Sequence, residues 1–443
     1  MANNYTTKDA TLGTIVDLDD KFITDAWLVD QFVGGTLFTS GRNAYGQLGN
    51  GTTTSYSSPI QIGSLNNWKK VISGGSNTIG IKTDGTLWTW GRNDAGQLGD
   101  SGVNRSSPVQ IGTDTNWIDA TGGHKFSVFL KNNGTLWTCG YNFFGALGNG
   151  TNSNNYSSPI QIGASTLWKQ ASAGFNYVAA VKTDGTLWTW GWGSNGALGN
   201  GTNGDNYSSP IQVGALTNWK YVSGSHYTTA AIKTDGTLWT WGYNGYGQLG
   251  NGNTTNYSSP IQVGISNGWG YINVNRNSAG AIPSQTYSVI GNKYYFAGQN
   301  GNYYMGGFNS IQDVYADITA SQDNNWTYWA SSSSHSNGIR TDGTLWGVGL
   351  ANRFGNGPVI TYSSPVQVGT DTKWSKLFMC KDGVATGAIK TDGTLWAWGY
   401  NGDGQLGNSN VGGSITVPTQ IGANTNWSSF SCGNQTSLML KNN

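Results

Sequence analysis

Charge is scarce in this chain of 443 residues: Asp, Glu, Lys and Arg make up 10%, against an ordinary share of about 25%. The net charge is +1, so there is no electrostatic footprint for nucleic acid or an anionic membrane. No apolar run approaches the ~20 residues of a membrane-spanning helix, so membrane insertion is not expected. Cysteine is limited to three residues, at 139, 380 and 432, too few for a disulfide framework. Proline is limited to nine and no Gly-X-Y period exists, which excludes collagen. The opening MANNYTTKDATLG lacks a basic and an apolar segment, so a secretory signal peptide is not expected in the chain as given.

Glycine and aromatics are abundant. There are 68 Gly and 21 Trp, and aromatics reach 13%. A disordered chain has the opposite composition, so a soluble fold stabilised by aromatic burial is expected.

Self-similarity dominates the sequence. GTLFTSG starts at Gly35, and close copies start at Gly85, Gly134, Gly185, Gly236, Gly343 and Gly393; a worn copy, NKYYFAG, starts at Asn292. The spacings are 50, 49, 51, 51, 56, 51 and 50 residues, making eight copies. Each copy is followed by a turn such as NAYGQLGNG, then a Tyr-Ser-Ser-Pro run such as Tyr56–Gly63. A Trp then opens a segment such as WKKVISGGSNTIGIKTDG (68–85) that leads into the next copy. Alternating Leu, Trp and Thr read as short strands, and Thr-Asp-Gly as hairpin turns. Proline in the Ser-Ser-Pro run fits an edge strand, because it cannot donate to a ladder. Three or four strands per ~50 residues is the size of a propeller blade.

These features predict an all-β fold, a single β-propeller of about eight blades, or seven if the worn unit is extruded. The C-terminal Trp427 segment is the half-unit that precedes GTLW elsewhere, and Gly35 begins without that half. The two halves are therefore expected to pair as one composite blade that closes the ring. In domain terms, residues 1–34 form an acidic, amphipathic arm, residues 35–443 the propeller, and about 283–330 a degenerate blade.

GTLWTWGRNDAGQLGD (85–100), followed by a Gly-x-His strand at Gly122-Gly123-His124, resembles the regulator of chromosome condensation repeat, a β-propeller family. The resemblance covers residues 35–443, and its uniform Asn/Ser/Thr/Gly-rich copies look most like the versions in bacteriophage structural and bacterial surface proteins. The family also contains exchange factors for a small GTPase and a β-lactamase inhibitor. No insertion in this chain carries either activity onto a numbered residue.

Candidate chemistry is sparse. His124 and His226 each lie seven residues after a unit Trp, and so occupy equivalent places in different blades, expected many ångströms apart. A zinc site needs convergent ligands, so neither these nor His335 is expected to bind metal. Asp84, Asp184, Asp235, Asp342 and Asp392 sit in turns, where a supporting role is expected. Asp17, Asp19 and Asp20 lack the glycine and distal glutamate of a calcium loop. Cys139 replaces a unit Trp and is expected to be a buried small hydrophobe. No catalytic residue, cofactor or metal is expected, and the repeated Trp residues are expected to fill seams between blades.

Function is expected where the repeat departs from itself. Phe22, Ile23, Trp27 and Phe32 in the arm are candidate partner-binding residues: the arm either folds back on its own propeller or docks on a neighbouring subunit. Tyr303, Tyr304 and Tyr315 in the worn unit are candidates for recognising a sugar or protein, against a drifted blade in which several of these Tyr simply take the places of unit Leu and Trp. The expected function is a non-enzymatic virion component of a bacteriophage: a tail-fibre, tail-tip or head-decoration protein. It would bind other virion proteins through residues 1–34 and possess a ring that meets a host-surface glycan or protein, with no nucleic-acid partner. The alternatives are a carbohydrate-binding adhesin or lectin at the cell surface or outside the cell, and an inhibitor or exchange-factor-like propeller.

Overall fold

A computed structural model describes residues 34–442, apart from 75, 246, 266, 275–285, 291–292, 298–315, 318–325, 332–334, 380–384 and 433–434. The candidates Phe22, Ile23, Trp27, Phe32, Tyr303, Tyr304 and Tyr315 lie outside the described residues.

The described residues form eight antiparallel sheets of four strands. Blade 1 comprises Trp68–Ser73, Asn77–Lys82, Leu87–Gly91 and Arg105–Gln110. Blades 2, 3 and 4 repeat that order from Trp117, Trp168 and Trp219. The worn unit supplies blade 5, with strands Trp269–Val274, Thr286–Ile290, Lys293–Ala297 and Ala316–Asp317. Blades 6 and 7 start at Trp326 and Trp374. Blade 8 is the composite: Tyr56–Gln61, Thr36–Gly41, Thr436–Lys441 and Trp427–Cys432 lie in that order. Leu37 faces Leu440 and Thr39 faces Leu438 across its seam. The C-terminal strands of blade 8 lie against first strands of both blade 1 and blade 7, so the composite blade joins the two ends of the blade series.

Local sequence explains each strand. The second strand of blade 1, Asn77–Lys82, is buried along its whole length. Neighbouring blades cover both faces of a second strand, so Ile, Val, Ala and Gly fill it alongside buried polar residues that find hydrogen-bond partners, as the Thr78 and Thr229 hydroxyls donate to the Gln47 and Ala197 carbonyls. A Ser-Ser-Pro strand lies at the outer end of six of the eight sheets, where Pro costs no ladder bond. The turn into the third strand needs left-handed backbone: Gly85 has φ +78°, and a Cβ there would meet the Thr115 carbonyl oxygen at 2.0 Å.

Indole rings and aliphatic side chains fill the seams. Ile79, Ile81 and Leu87 of blade 1 pack with Trp117, Phe129 and Cys139 of blade 2. Tyr177, Val181 and Leu187 of blade 3 pack with Trp219, Val222 and Trp241 of blade 4. The second Trp of GTLWTWG is fully buried in Trp90, Trp190, Trp241 and Trp398. Trp90, Trp190 and Trp241 donate their indole N–H to carbonyls of the preceding blade: Gln47, Ala146 and Ala197, at 2.9, 3.0 and 3.0 Å. Cys139 takes this place in blade 2, fully buried, with Sγ 3.5 Å from the Gln97 carbonyl oxygen. It is a free thiol, and burial raises its pKa. Cys432 is disulfide-bonded.

Candidate functional site

The meander topology sorts the connections onto two faces of the ring. Thr-Asp-Gly turns, joining second to third strands, lie on one face. Connections between first and second strands, and between third and fourth strands, lie on the other.

The Thr-Asp-Gly face is regular in blades 1–4, 6 and 7. The Asp84 carboxylate accepts hydrogen bonds from the Thr86 N–H and hydroxyl at 3.0 and 2.7 Å, and these bonds hold its pKa below the usual carboxylate range. Trp88 in turn donates its indole N–H to the Thr86 hydroxyl at 2.8 Å. The Lys82 ammonium lies 3.6 Å from the Trp88 ring and 5.0 Å from the Trp68 ring, a cation–π clamp. Burial lowers the pKa of Lys82. The same set recurs around Asp184, Asp235, Asp342 and Asp392, with Asn133 as its form in blade 2. These acids thus support turns.

The opposite face is not uniform. Seven residues after the unit Trp, blades 2, 3 and 4 carry His124, Phe175 and His226. The Phe175 ring stacks on His124 at 4.3 Å and 16°, and on His226 at 4.2 Å and 26°. The His124 N–H also donates to the Phe175 carbonyl at 2.9 Å. The two histidines are thus linked through Phe175, the equivalent residue of the blade between theirs. First strands of successive blades lie side by side, so equivalent residues at their ends come within stacking distance. Phe175 was the missed partner; its signal was an aromatic at the same offset in the intervening copy.

The ring contacts continue outward. His226 meets Tyr227 at 4.5 Å, Tyr227 meets Trp192 edge-on at 5.0 Å, and Trp192 stacks on Phe144 at 4.8 Å and 11°. Phe144 then meets Phe143 at 5.0 Å, and Phe143 lies near-parallel to Tyr141 at 6.2 Å. Eight rings therefore run unbroken from blade 2 across blade 3 to blade 4 and back. Most are half-buried, while Phe143 is 60% exposed, more than any other aromatic among the described residues.

The backbone beneath this chain of rings is fixed. Asn142 is fully buried. Its amide donates to Asn149 Oδ1 and the Thr151 carbonyl at 3.2 and 3.0 Å, and its Oδ1 accepts from the Leu147 N–H at 3.0 Å. Gly145, at φ +76°, lets the turn press on blade 3, where a Cβ would meet Ser208 Cα at 2.5 Å. Blade 1 carries Asp94 where blade 2 has Phe143. Burial opposes its ionisation, but hydrogen bonds from Arg92, Gln97 and Lys125 hold the Asp94 carboxyl below its usual range.

His335 is elsewhere, fully buried, with Nε2 2.8 Å from the Thr386 hydroxyl oxygen. Burial and the nearby Arg353 push its pKa down to about 3. Among the described residues, no three His, Cys, Asp or Glu side chains gather as a metal site. No described helix is long and apolar enough to cross a membrane.

The geometry defines a propeller with a regular face and an aromatic face. The RCC1-like domain model matches residues 36–387, and the Regulator of chromosome condensation (RCC1) repeat matches 392–440. The chain belongs to this family of RCC1-like propellers. It is 29% identical over 264 residues to the ultraviolet-B receptor UVR8 of Arabidopsis thaliana, covering 58% of this chain and 59% of that protein. It is 34% identical over 87 residues to the human E3 ubiquitin-protein ligase HERC2, covering 19% of this chain and 2% of that protein. The chain thus spans less than two thirds of these curated relatives. Among solved structures, Prp20p of Saccharomyces cerevisiae aligns with a TM-score of 0.62 at 16% identity, covering 96% of this chain and 95% of that one. Human WBSCR16 aligns at 0.61 and 16%, covering 92% and 99%. These two likenesses concern the fold.

Proposed function

We propose that the protein is a non-enzymatic binding propeller whose working surface is the aromatic face of blades 2–4. The carrying observation is the unbroken run of eight rings from His124 to Tyr141. Folding does not demand it, because other units place Gly75, Lys381 and Asn434 at the offset of Phe175. Half-exposed aromatics on a rigid frame suit recognition, since they give contact area at low entropic cost. Protein binding by the fold supports the reading: the Prp20p structure is described with its binding to Gsp1p and histones.

In its finer form, the protein is a virion component. Residues 1–34 dock on neighbouring virion proteins, and the ring presents its aromatic face to the host surface. Low charge and Asn-, Ser- and Thr-rich turns support display outside a cell. The test is sedimentation with intact particles and adsorption to host cells. The chain is expected to cosediment, and deletion of residues 1–30 to release it without changing its melting temperature. A Phe143→Ser, Phe175→Ser, Trp192→Ser variant is expected to stay on the particle and abolish adsorption. Adsorption equal to wild type, by a variant that circular dichroism shows folded, overturns the aromatic-face reading. Absence from purified particles overturns the virion role.

A further inference from the structure

We infer that the pocket at the tip of blade 2 binds an uncharged saccharide, with Phe143 as its stacking platform. This rests on the aromatic face being a binding surface and adds the chemistry of what binds there.

The pocket holds about 620 Å³ and is lined by Tyr141, Phe143, Ser153, Asn154, Asn155 and Tyr156. That is within the usual range of small-ligand sites, roughly 300–1,000 Å³. The lining offers two amides, a hydroxyl, two phenols and a phenyl ring. It holds no carboxylate, ammonium or guanidinium. An anion or cation entering it would shed hydration without meeting an opposite charge, which favours a neutral ligand. A purely aliphatic ligand would in turn desolvate the amides of Asn154 and Asn155 without hydrogen-bonding them. A sugar satisfies both demands: one ring face presents C–H groups to an aromatic plane, and its hydroxyls pair with amides and phenols.

Phe143 has no packing explanation. The same place in other units is occupied by Ala44, Asp94, Ser194, Gly245 and Gly402, so the turn folds without an aromatic there. Its ring is 60% exposed, near-parallel to Tyr141 at 17° and braced edge-on by Phe144 at 89°. The amide opposite is also oriented. Asn155 Oδ1 accepts from the Asn142 N–H at 3.2 Å, leaving the Asn155 NH2 as a donor. Platform and amide both spring from the turn that buried Asn142 fixes, which reduces the entropy lost on binding.

The experiment is an array of neutral and acidic oligosaccharides probed with the full chain, followed by calorimetric titration of the best neutral compound. Binding confined to neutral glycans is expected. Phe143→Ala is expected to weaken it at least ten-fold and Phe143→Trp to preserve it, with the melting temperature of both unchanged. Asn154→Ala is expected to weaken it several-fold. A blank neutral array, binding confined to acidic glycans, or unchanged affinity in Phe143→Ala overturns the inference. A blank array combined with lost adsorption in the Phe143/Phe175/Trp192 variant discards the saccharide and keeps the aromatic face. Normal adsorption by that variant, with Phe143-dependent glycan binding, keeps the pocket and discards the larger surface.

Discussion

The two faces of the ring are built from the same repeat, yet they differ in kind. On the Thr-Asp-Gly face, the Lys82, Asp84, Thr86 and Trp88 set recurs in blades 3, 4 and 7, with Asn133 for the Asp in blade 2 and Arg340 for the Lys in blade 6. On the other face, equivalent turns carry Asp94 in an ion-pair cluster with Arg92 and Lys125 in blade 1, and Phe143 exposed to solvent in blade 2. Uniformity marks what the regular blades share in folding and stacking. Divergence marks positions that folding leaves open, where side chains can serve recognition.

Substitutions can break or sharpen that contrast. The largest effect is expected from the seams. Trp190→Ala removes a fully buried indole and its bond to the Ala146 carbonyl, and should cost about 3–5 kcal/mol in chemical unfolding. Trp192→Ala, on the aromatic face two residues away, should cost much less. A Trp192 loss equal to that of Trp190 would erase the distinction between the two classes of Trp.

Next is the buried seam residue His335, whose pKa is depressed in the folded state. Its neutral form is stabilised there, so its contribution is complete above the unfolded value near 6.5 and is lost as pH falls from there towards about 3. Between pH 6.5 and 4.5 that amounts to about 2–3 kcal/mol. His335→Gln should flatten the slope of unfolding free energy across that window, whatever its effect at pH 7. An unaltered slope would show that other groups set the acid sensitivity.

A smaller loss, about 1 kcal/mol, is expected for Asp184→Ala, which removes acceptance from the Thr186 N–H and hydroxyl. The Asp184 pKa is lowered, first by the hydrogen bond from the Thr186 side chain. Its contribution should therefore be present at neutral pH and fade as pH falls through the carboxylate range. Stability curves of wild type and variant should converge in acid. Least of all, Phe143→Ala should leave the melting point within experimental scatter, because its ring is mostly in water; a clear drop would mean Phe143 is structural.

Much of the fold was legible because the repeat states it many times. GTLWTWG and its flanking turns give strand, turn and edge in order, and the unmatched halves at Gly35 and Trp427 announce the composite blade that Leu37 and Leu440 zip together. The site was far less legible. The offset of His124 and His226 from their unit Trp was visible, but Phe175 between them was passed over, because equivalent positions in separate blades look remote along the chain. Phe143 was hidden for a related reason: one residue in a turn carries no periodicity.

The sequence alone determined the blade, since alternation, turn glycines and edge prolines act within a few residues. It also determined the ring's closure, because two half-blades have unmet strand edges that only each other can satisfy. The tertiary structure decided which side chains meet. Convergence of the first strands brings residues some 50 positions apart into stacking distance, and meander topology places alternate connections on opposite faces. Neither distance is encoded in any local pattern, because both arise from packing one blade against the next.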